Sequence, residues 1–436
     1  MIFALIFVLF ATWVLFLVEN WVDQTEVGGE LNRMMYRFVQ EKLEGADKED
    51  WAPIVVVDIS DMPPQVRIEG NQQVSVTSRS RLLELIQAAA QAGAAGIGVD
   101  IDFSLRNGHP LQPQDKAFFE ACEKASFDPQ GNPIPIRLGV YRTQADPPED
   151  WLGSTTFSNL AASIAIPDVM TVPRRLPLWV GPPGAKTPLP GMSLAVSGAH
   201  RQDGPSMFAW ALEKTQIKHL DDHTVAAEFL VNLNWLGKIR ANTPQTSQQF
   251  LESGYDARHA LCRGRIVLLG DAGNSSDTFV VPGAEQQVQG VFLHACGIAT
   301  LLKGKPLLEM TGAGQFALAI FLALAIFTVI EVVEHKCKKS AWYELNREAL
   351  EKWLTRMIAL ILWIVGYLLV ARTRLVWNSL IIGLGMFVVV DPALTKSFSS
   401  YLEKLWEKVV KECTTPKSGE SPQTPSGSHD QTGSSH

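Results

Sequence analysis

Four strongly apolar segments set the plan of this 436-residue chain. One opens it, Ile2 to Val18, and three crowd towards the end at 315–333, 357–371 and 375–390. At a rise of about 1.5 Å per residue the first segment reaches about 25 Å as a helix, enough to cross a hydrocarbon core that thins slightly around it. Residues 19–312 must then lie on a single face of a membrane. The sequence is expected to build one soluble domain tethered at both ends, leaving a loop and a tail on the opposite face. That remainder is too small for a kinase or a cyclase.

Composition fits this plan. The chain is 46% hydrophobic and 19% charged, with a mean hydropathy of +0.07, as expected of a soluble domain joined to a few spans. A net charge of -7 and no basic stripe in the central region argue against nucleic acid as a partner. Cys122, Cys262, Cys296, Cys337 and Cys413 form no C-x-x-C pair and no zinc-ligand spacing. The first three leave room for one disulfide.

The boundaries follow from the segments. Residues 1–18 read as an uncleaved signal anchor, because Val18 runs straight into Glu19, Asn20 and Trp21 with no A-x-A cleavage site. Residues 19–312 form the outer domain, 313–333 the second span, 334–356 a loop, 357–371 the third span and 375–390 the fourth. Residues 391–412 have an amphipathic helical pattern, and the Ser/Thr/Pro-rich stretch 413–436 is expected to be disordered. Orientation follows the basic residues. With the N-terminus inside, loop 334–356 holds Lys336, Lys338, Lys339, Arg347, Lys352 and Arg356, and the tail adds Lys396, Lys404, Lys408 and Lys411. Near the spans the outer side holds about five, Arg33, Lys303, Lys305, Arg372 and Arg374. The positive-inside rule therefore places the termini in the cytoplasm and 19–312 beyond the inner membrane.

Within 19–312 the pattern is α/β. The continuous β-branched run Ile54–Ile59 marks a strand covered on both faces. A helix follows, capped by Thr77 or Ser78, apolar at Leu82, Leu85, Ile86 and Ala89, and stopped by Gly93. Ala95–Ile101 is the next buried strand, completing a βαβ unit with parallel strands. Further strands are expected at 136–141, 174–180, 229–235 and 265–271, and helices at 115–125, 205–212 and 288–302. The fold class is an α/β extracytoplasmic domain with a mostly parallel central sheet, plus an α-helical transmembrane bundle of one N-terminal and three C-terminal spans.

Asp58, Asp100, Asp102 and Asp271 fall at or just beyond the C-terminal ends of the expected strands, the edge where ligands of open α/β sheets bind. With Asp61, Asp277 and His294 they form a candidate ligand crevice. The alternative is that each carboxylate caps a nearby turn or helix start, and that His294 is a hydrogen-bonded structural histidine. No catalytic residue, metal site or cofactor is indicated. The chain lacks G-x-S-x-G, H-E-x-x-H, a P-loop and G-x-G-x-x-G, and the closeness of His294 to Cys296 is a chance pairing of a thiol with a histidine.

Three strings carry a family resemblance: IVVVDIS at 54–60, SRSRLLELIQAAAQAGAAGIGVDIDFS at 78–104, and RGRIVLLGDAGNSSDTFVVPGAEQQVQGVFLHACGIATLLKGKPL at 263–307. They resemble the type 2 CHASE domain, a cyclase- and histidine-kinase-associated sensory extracellular domain of bacterial receptors. The most specific stretch runs from Arg265–Gly270 through Asp277 and Pro282 to Gly290 and His294-Ala295. The resemblance implies one span before the domain and typically three after it, as here. One departure lies at Val74–Arg79, where such receptors tend to carry a Trp-Pro-rich stretch. Another is that no kinase or cyclase follows Asp391.

The leading expectation is therefore a sensor or regulatory subunit. It detects an unidentified extracytoplasmic ligand and passes the signal through its spans to a separate cytoplasmic effector, by way of 334–356 or 392–412. The alternatives are a structural or assembly protein of the cell envelope and an outer-face hydrolase using the strand-end aspartates. A homodimer suits a receptor of this kind, but no heptad or G-x-x-x-G seam in the spans demonstrates one.

Overall fold

The computed structural model describes residues 53–69, 72–104, 112–127, 131–141, 155–166, 175–181, 189–200, 217–219, 225–242, 245–273, 277–279, 287–303, 306–309, seven positions between 314 and 332, and 375–376. In chain order, β1 (Ile54–Asp58) is followed by the hairpin β2 (Pro64–Glu69) and β3 (Gln72–Thr77), then α1 (Arg79–Gln91), β4 (Gly96–Asp100), α2 (Pro113–Ala125) and β5 (Ile136–Val140). Next come α3 (Thr155–Leu160), β6 (Ala161–Ser163), β7 (Arg175–Gly181), β8 (Leu189–Pro190), α4 (Met192–His200), β9 (Ile217–His219) and β10 (Val225–Leu230). The last part holds α5 (Trp235–Ala241), β11 (Gln245–Thr246), α6 (Ser247–Glu252), α7 (Tyr255–Cys262), β12 (Ile266–Gly270), β13 (Thr278–Phe279), β14 (Val288–Gln289), α8 (Gly290–Leu302), β15 (Leu308–Glu309) and β16 (Leu375–Val376).

The central sheet has the order β11-β1-β12-β4-β5-β6, and every pairing in it is parallel. Alternation along the strands explains why it is covered twice. Ile54 and Val56 of β1, with Ile266 and Leu268 of β12, belong to one core; Val55 and Val57, with Val267 and Leu269, belong to the other. Successive side chains of a strand point to opposite faces, so an unbroken apolar run demands cover on both sides. Helices α1, α2 and α3 contribute to one core, and α4, α5 and α8 to the other. The expected βαβ unit is present with one change: β1 and β4 are parallel but not adjacent, because β12 lies between them.

Local signals act as the sequence suggests. Ser78, rather than Thr77, caps α1 by accepting from the Arg81 N–H, and Gly93 leaves the helix with a φ of 79°, a conformation that favours glycine. Helix α8 has no polar stripe, and all but its last residue are buried. It packs on β1 and β12 of the central sheet and against α4 and α5, and at Gly297 it approaches Leu176 of β7, a strand of a second, antiparallel sheet ordered β8-β7-β10-β9.

Three expectations need correction. The strand assigned to 229–235 ends at Leu230; the Asn232 side chain accepts from the Asn234 N–H at 3.1 Å, turning the chain so that Trp235 opens a helix. Cys122, Cys262 and Cys296 form no disulfide: each is a buried free thiol on its own element. The stretch 64–77 is a hairpin, not a loop.

The helix expected at 205–212 and the spans expected at 1–18 and 357–371 lie outside the described residues, as does 377–390. At the second expected span, Gly314, Ala317, Ile320, Phe321, Leu324, Thr328 and Val332 are all helical. Among the described residues, no helix is long and apolar enough to cross a membrane.

Candidate functional site

The parallel sheet brings its C-terminal strand ends into one line. Asp58 of β1, Gly270 of β12 and Asp100 of β4 are register partners in adjacent strands. At this edge lies a cavity of about 600 Å³, lined by Ser75, Val76 and Thr77 of β3 and by residues of the loops after β4 and β12. Asp100, Asp102, Asp271, Asp277 and His294 all line it, so five of the seven candidate residues converge on one cleft.

The other two are committed to the backbone. Asp58 accepts from the Ser60 N–H at 2.9 Å and the Ser60 hydroxyl at 2.8 Å, and from the Ala272 N–H at 2.9 Å, which stitches the loop after β1 to the loop after β12. Asp61 accepts from the N–H groups of Ser247 at 3.1 Å and Gln248 at 3.0 Å, at the start of α6. Burial alone would raise the Asp61 pKa, but these bonds hold it below the ordinary value. Two of the lining carboxylates also brace loops. Asp102 accepts from the Ser104 and Tyr141 N–H groups, and Asp271 from the Gly273 N–H.

Asp100, Asp277 and His294 form the inner part of the cleft. His294 comes from the second turn of α8, and Asp277 sits against the start of that helix. A Cβ at Gly290 would lie 2.5 Å from Asp277 Oδ2, so only glycine allows this approach. His294 Nε2 lies 3.3 Å from the Ile164 carbonyl and 3.9 Å from Asp100 Oδ1. A carbonyl only accepts, so Nε2 carries the proton and Nδ1 the free lone pair. Nδ1 is buried with no hydrogen-bond partner.

Electrostatics at this spot run against ionisation. Burial first, and the neighbouring Asp277 charge second, push Asp100 up to about 8. Burial lowers His294 to about 4 despite Asp277 and the Ile164 carbonyl. Burial also raises Asp277; His294 and the Gly290 N–H oppose that rise, and Asp271 adds to it. At neutral pH the 3.9 Å contact between His294 and Asp100 therefore joins two largely neutral groups and is not an ion pair. A carboxylic acid kept neutral in this way is able to donate a hydrogen bond or release a proton when a ligand arrives.

The residue profile of the CHASE2 domain matches residues 2–329, from within the first apolar segment to within the second. The chain belongs to the CHASE2 domain family. CHASE2 is an extracellular sensory domain family found in membrane proteins. No curated protein matches the chain, and no solved structure does. Val74–Arg79, the stretch that departs from the expected Trp-Pro-rich pattern, forms a wall of the CHASE2 cleft through Ser75, Val76 and Thr77.

One part of this CHASE2 domain escaped the sequence reading. Arg67 of β2 holds Asp115 of α2 through two parallel bonds of 2.8 and 2.7 Å, and Arg79 adds a third of 2.8 Å to the same carboxylate. The Arg79 guanidinium also lies 4.3 Å from the Phe103 ring centre. This buried cluster fixes the hairpin that walls the cleft. Its only sequence signal is an arginine within an alternating apolar run, Val66-Arg67-Ile68.

Proposed function

We propose that this CHASE2 protein is a membrane-anchored extracytoplasmic sensor. Its strand-end cleft receives a ligand, and its spans pass the event to a separate cytoplasmic partner. The observation that carries the reading is the convergence of Asp100, Asp277 and His294 in a cavity of small-molecule size at the strand-end edge, where open α/β sheets take their ligands. Family membership supports the sensory role. The orientation has the N-terminus and tail in the cytoplasm and 19–312 outside the inner membrane.

A route for transmission is supported by backbone pairing. Leu307 bridges to Leu230 at the end of the antiparallel sheet, and the next residues, Leu308 and Glu309, pair in parallel with Leu375 and Val376. The end of the outer domain is thus hydrogen-bonded to the start of the fourth expected span. A ligand that binds two arrangements of the domain with different affinity shifts the bundle through this link.

The test is photocrosslinking in cells from positions in 334–356 and 392–412 to a cytoplasmic protein, in the wild-type chain and in Asp277→Asn. A partner whose crosslinks change with the cleft substitution supports transmission. Crosslinks indifferent to the cleft, together with an unchanged phenotype after removal of 392–436, sink it.

A further inference from the structure

The cleft gathers carboxyl groups and, among the described residues, carries no fixed positive charge. Asp100, Asp102, Asp271 and Asp277 line it, and no lysine or arginine does among the described residues. The Asp100 side chain is only 8% exposed and accepts no hydrogen bond among the described residues. An independent observation points the same way: His294 is 2% exposed, and its Nδ1 acceptor has no partner. A buried acceptor left unmatched costs free energy that a ligand N–H recovers.

We propose that the cleft binds a small organic cation, whose ammonium or guanidinium group donates to Asp100 and Asp277, with His294 as a further acceptor. This rests on the sensor cleft above and names its ligand class. Three observations shape the choice. The cavity of about 600 Å³ is far larger than a single ion. Among the described residues no three His, Cys, Asp or Glu side chains gather closely enough to hold a metal. Tyr141 and Phe279 also line the cavity, offering aromatic faces to a cation.

Binding releases a proton. The cation favours the ionised form of Asp100, so the carboxyl gives up its proton to solvent as the N–H donors replace it. The groups facing Asp100 are Asp277, Asp271, Asp102 and a neutral His294, and none of them supplies a compensating positive charge at neutral pH. Affinity therefore rises with pH, by about tenfold per unit at most until the Asp100 pKa is passed.

The experiment uses the full chain in nanodiscs and follows thermal stabilisation and calorimetric binding from pH 6.5 to 8.5. The probes are n-butylammonium, 1,4-diaminobutane and n-butylguanidinium, compared with neutral 1,4-butanediol, succinate and calcium chloride. At least one organic cation is expected to saturate, to bind more tightly at the higher pH, and to weaken at least tenfold in Asp100→Asn. Asp277→Asn gives the same result should Asp100→Asn fail to fold. Preference for the diol, for succinate or for calcium overturns the assignment, as does absence of saturation by every cation. If the diol or succinate binds and alters the cytoplasmic crosslinks, the sensor reading stands and the cation class falls. If a cation binds with no change in those crosslinks, the cation class stands and the sensor reading falls.

Discussion

His294 Nε2 stands 3.9 Å from Asp100 Oδ1, at the junction of the first turns of α8 with the end of β4. Both groups are buried and both are shifted towards their neutral forms, Asp100 to about 8 and His294 to about 4. The pair is a pH-sensitive element whose two halves act in opposite directions.

Asp100 has a raised folded-state pKa, so its contribution to stability is fully present below about 4 and is lost as pH climbs through about 8. His294 has a lowered one, so its contribution is present above about 6.5 and is lost as pH falls towards about 4. Between about 4 and 6.5 the two offset each other. Between about 6.5 and 8 only the Asp100 slope remains, and unfolding free energy falls by about 1 kcal/mol per pH unit. Denaturant unfolding of the wild-type chain and Asp100→Asn across this window checks it. The variant is expected to lack the slope and to be the more stable protein at pH 8; parallel profiles contradict the account.

Asp115→Ala removes the carboxylate that Arg67 and Arg79 share. It leaves two guanidinium groups in a buried setting, which is expected to cost about 3–5 kcal/mol. A drop of that size in unfolding free energy is the readout, and protease cleavage within 64–77 should rise with it. A change below about 1 kcal/mol would place the cluster among weak surface pairs instead.

Gly290→Ala drives a methyl group against Asp277. Helix geometry alone favours alanine, so a purely local view predicts stabilisation. The 2.5 Å approach to Oδ2 reverses that expectation, and a loss of about 1–3 kcal/mol should appear in thermal or denaturant unfolding.

The central sheet was readable from sequence because its strands are short unbroken β-branched runs between turn signals, as Ile54-Val55-Val56-Val57 illustrates. Strand order was not. β12 lies between β1 and β4 although it comes more than 160 residues after the latter, and no local signal specifies such a pairing. At the site, period-2 geometry and strand-end position sufficed to nominate Asp100, Asp102 and Asp271. The same rule nominated Asp58, whose carboxylate instead accepts the Ala272 N–H from a loop remote in sequence. Whether a strand-end aspartate faces a ligand or a backbone amide depends on that distant loop. The Arg67–Asp115 contact was illegible for the same reason: its partners are 48 positions apart on a hairpin and a helix.

The claim beneath all of this is that the CHASE2 domain lies outside a membrane that the chain crosses. The native cysteines make the test clean. Cys122, Cys262 and Cys296 are buried, with their thiols pushed up to about 12, and Cys337 and Cys413 belong to the expected cytoplasmic segments. An added thiol in Ala257→Cys, on the exposed face of α7, should react with a membrane-impermeant maleimide in intact cells, whereas Cys337 and Cys413 should react only after permeabilisation. Labelling of Cys337 in intact cells, with position 257 protected until the cells are opened, would contradict the account.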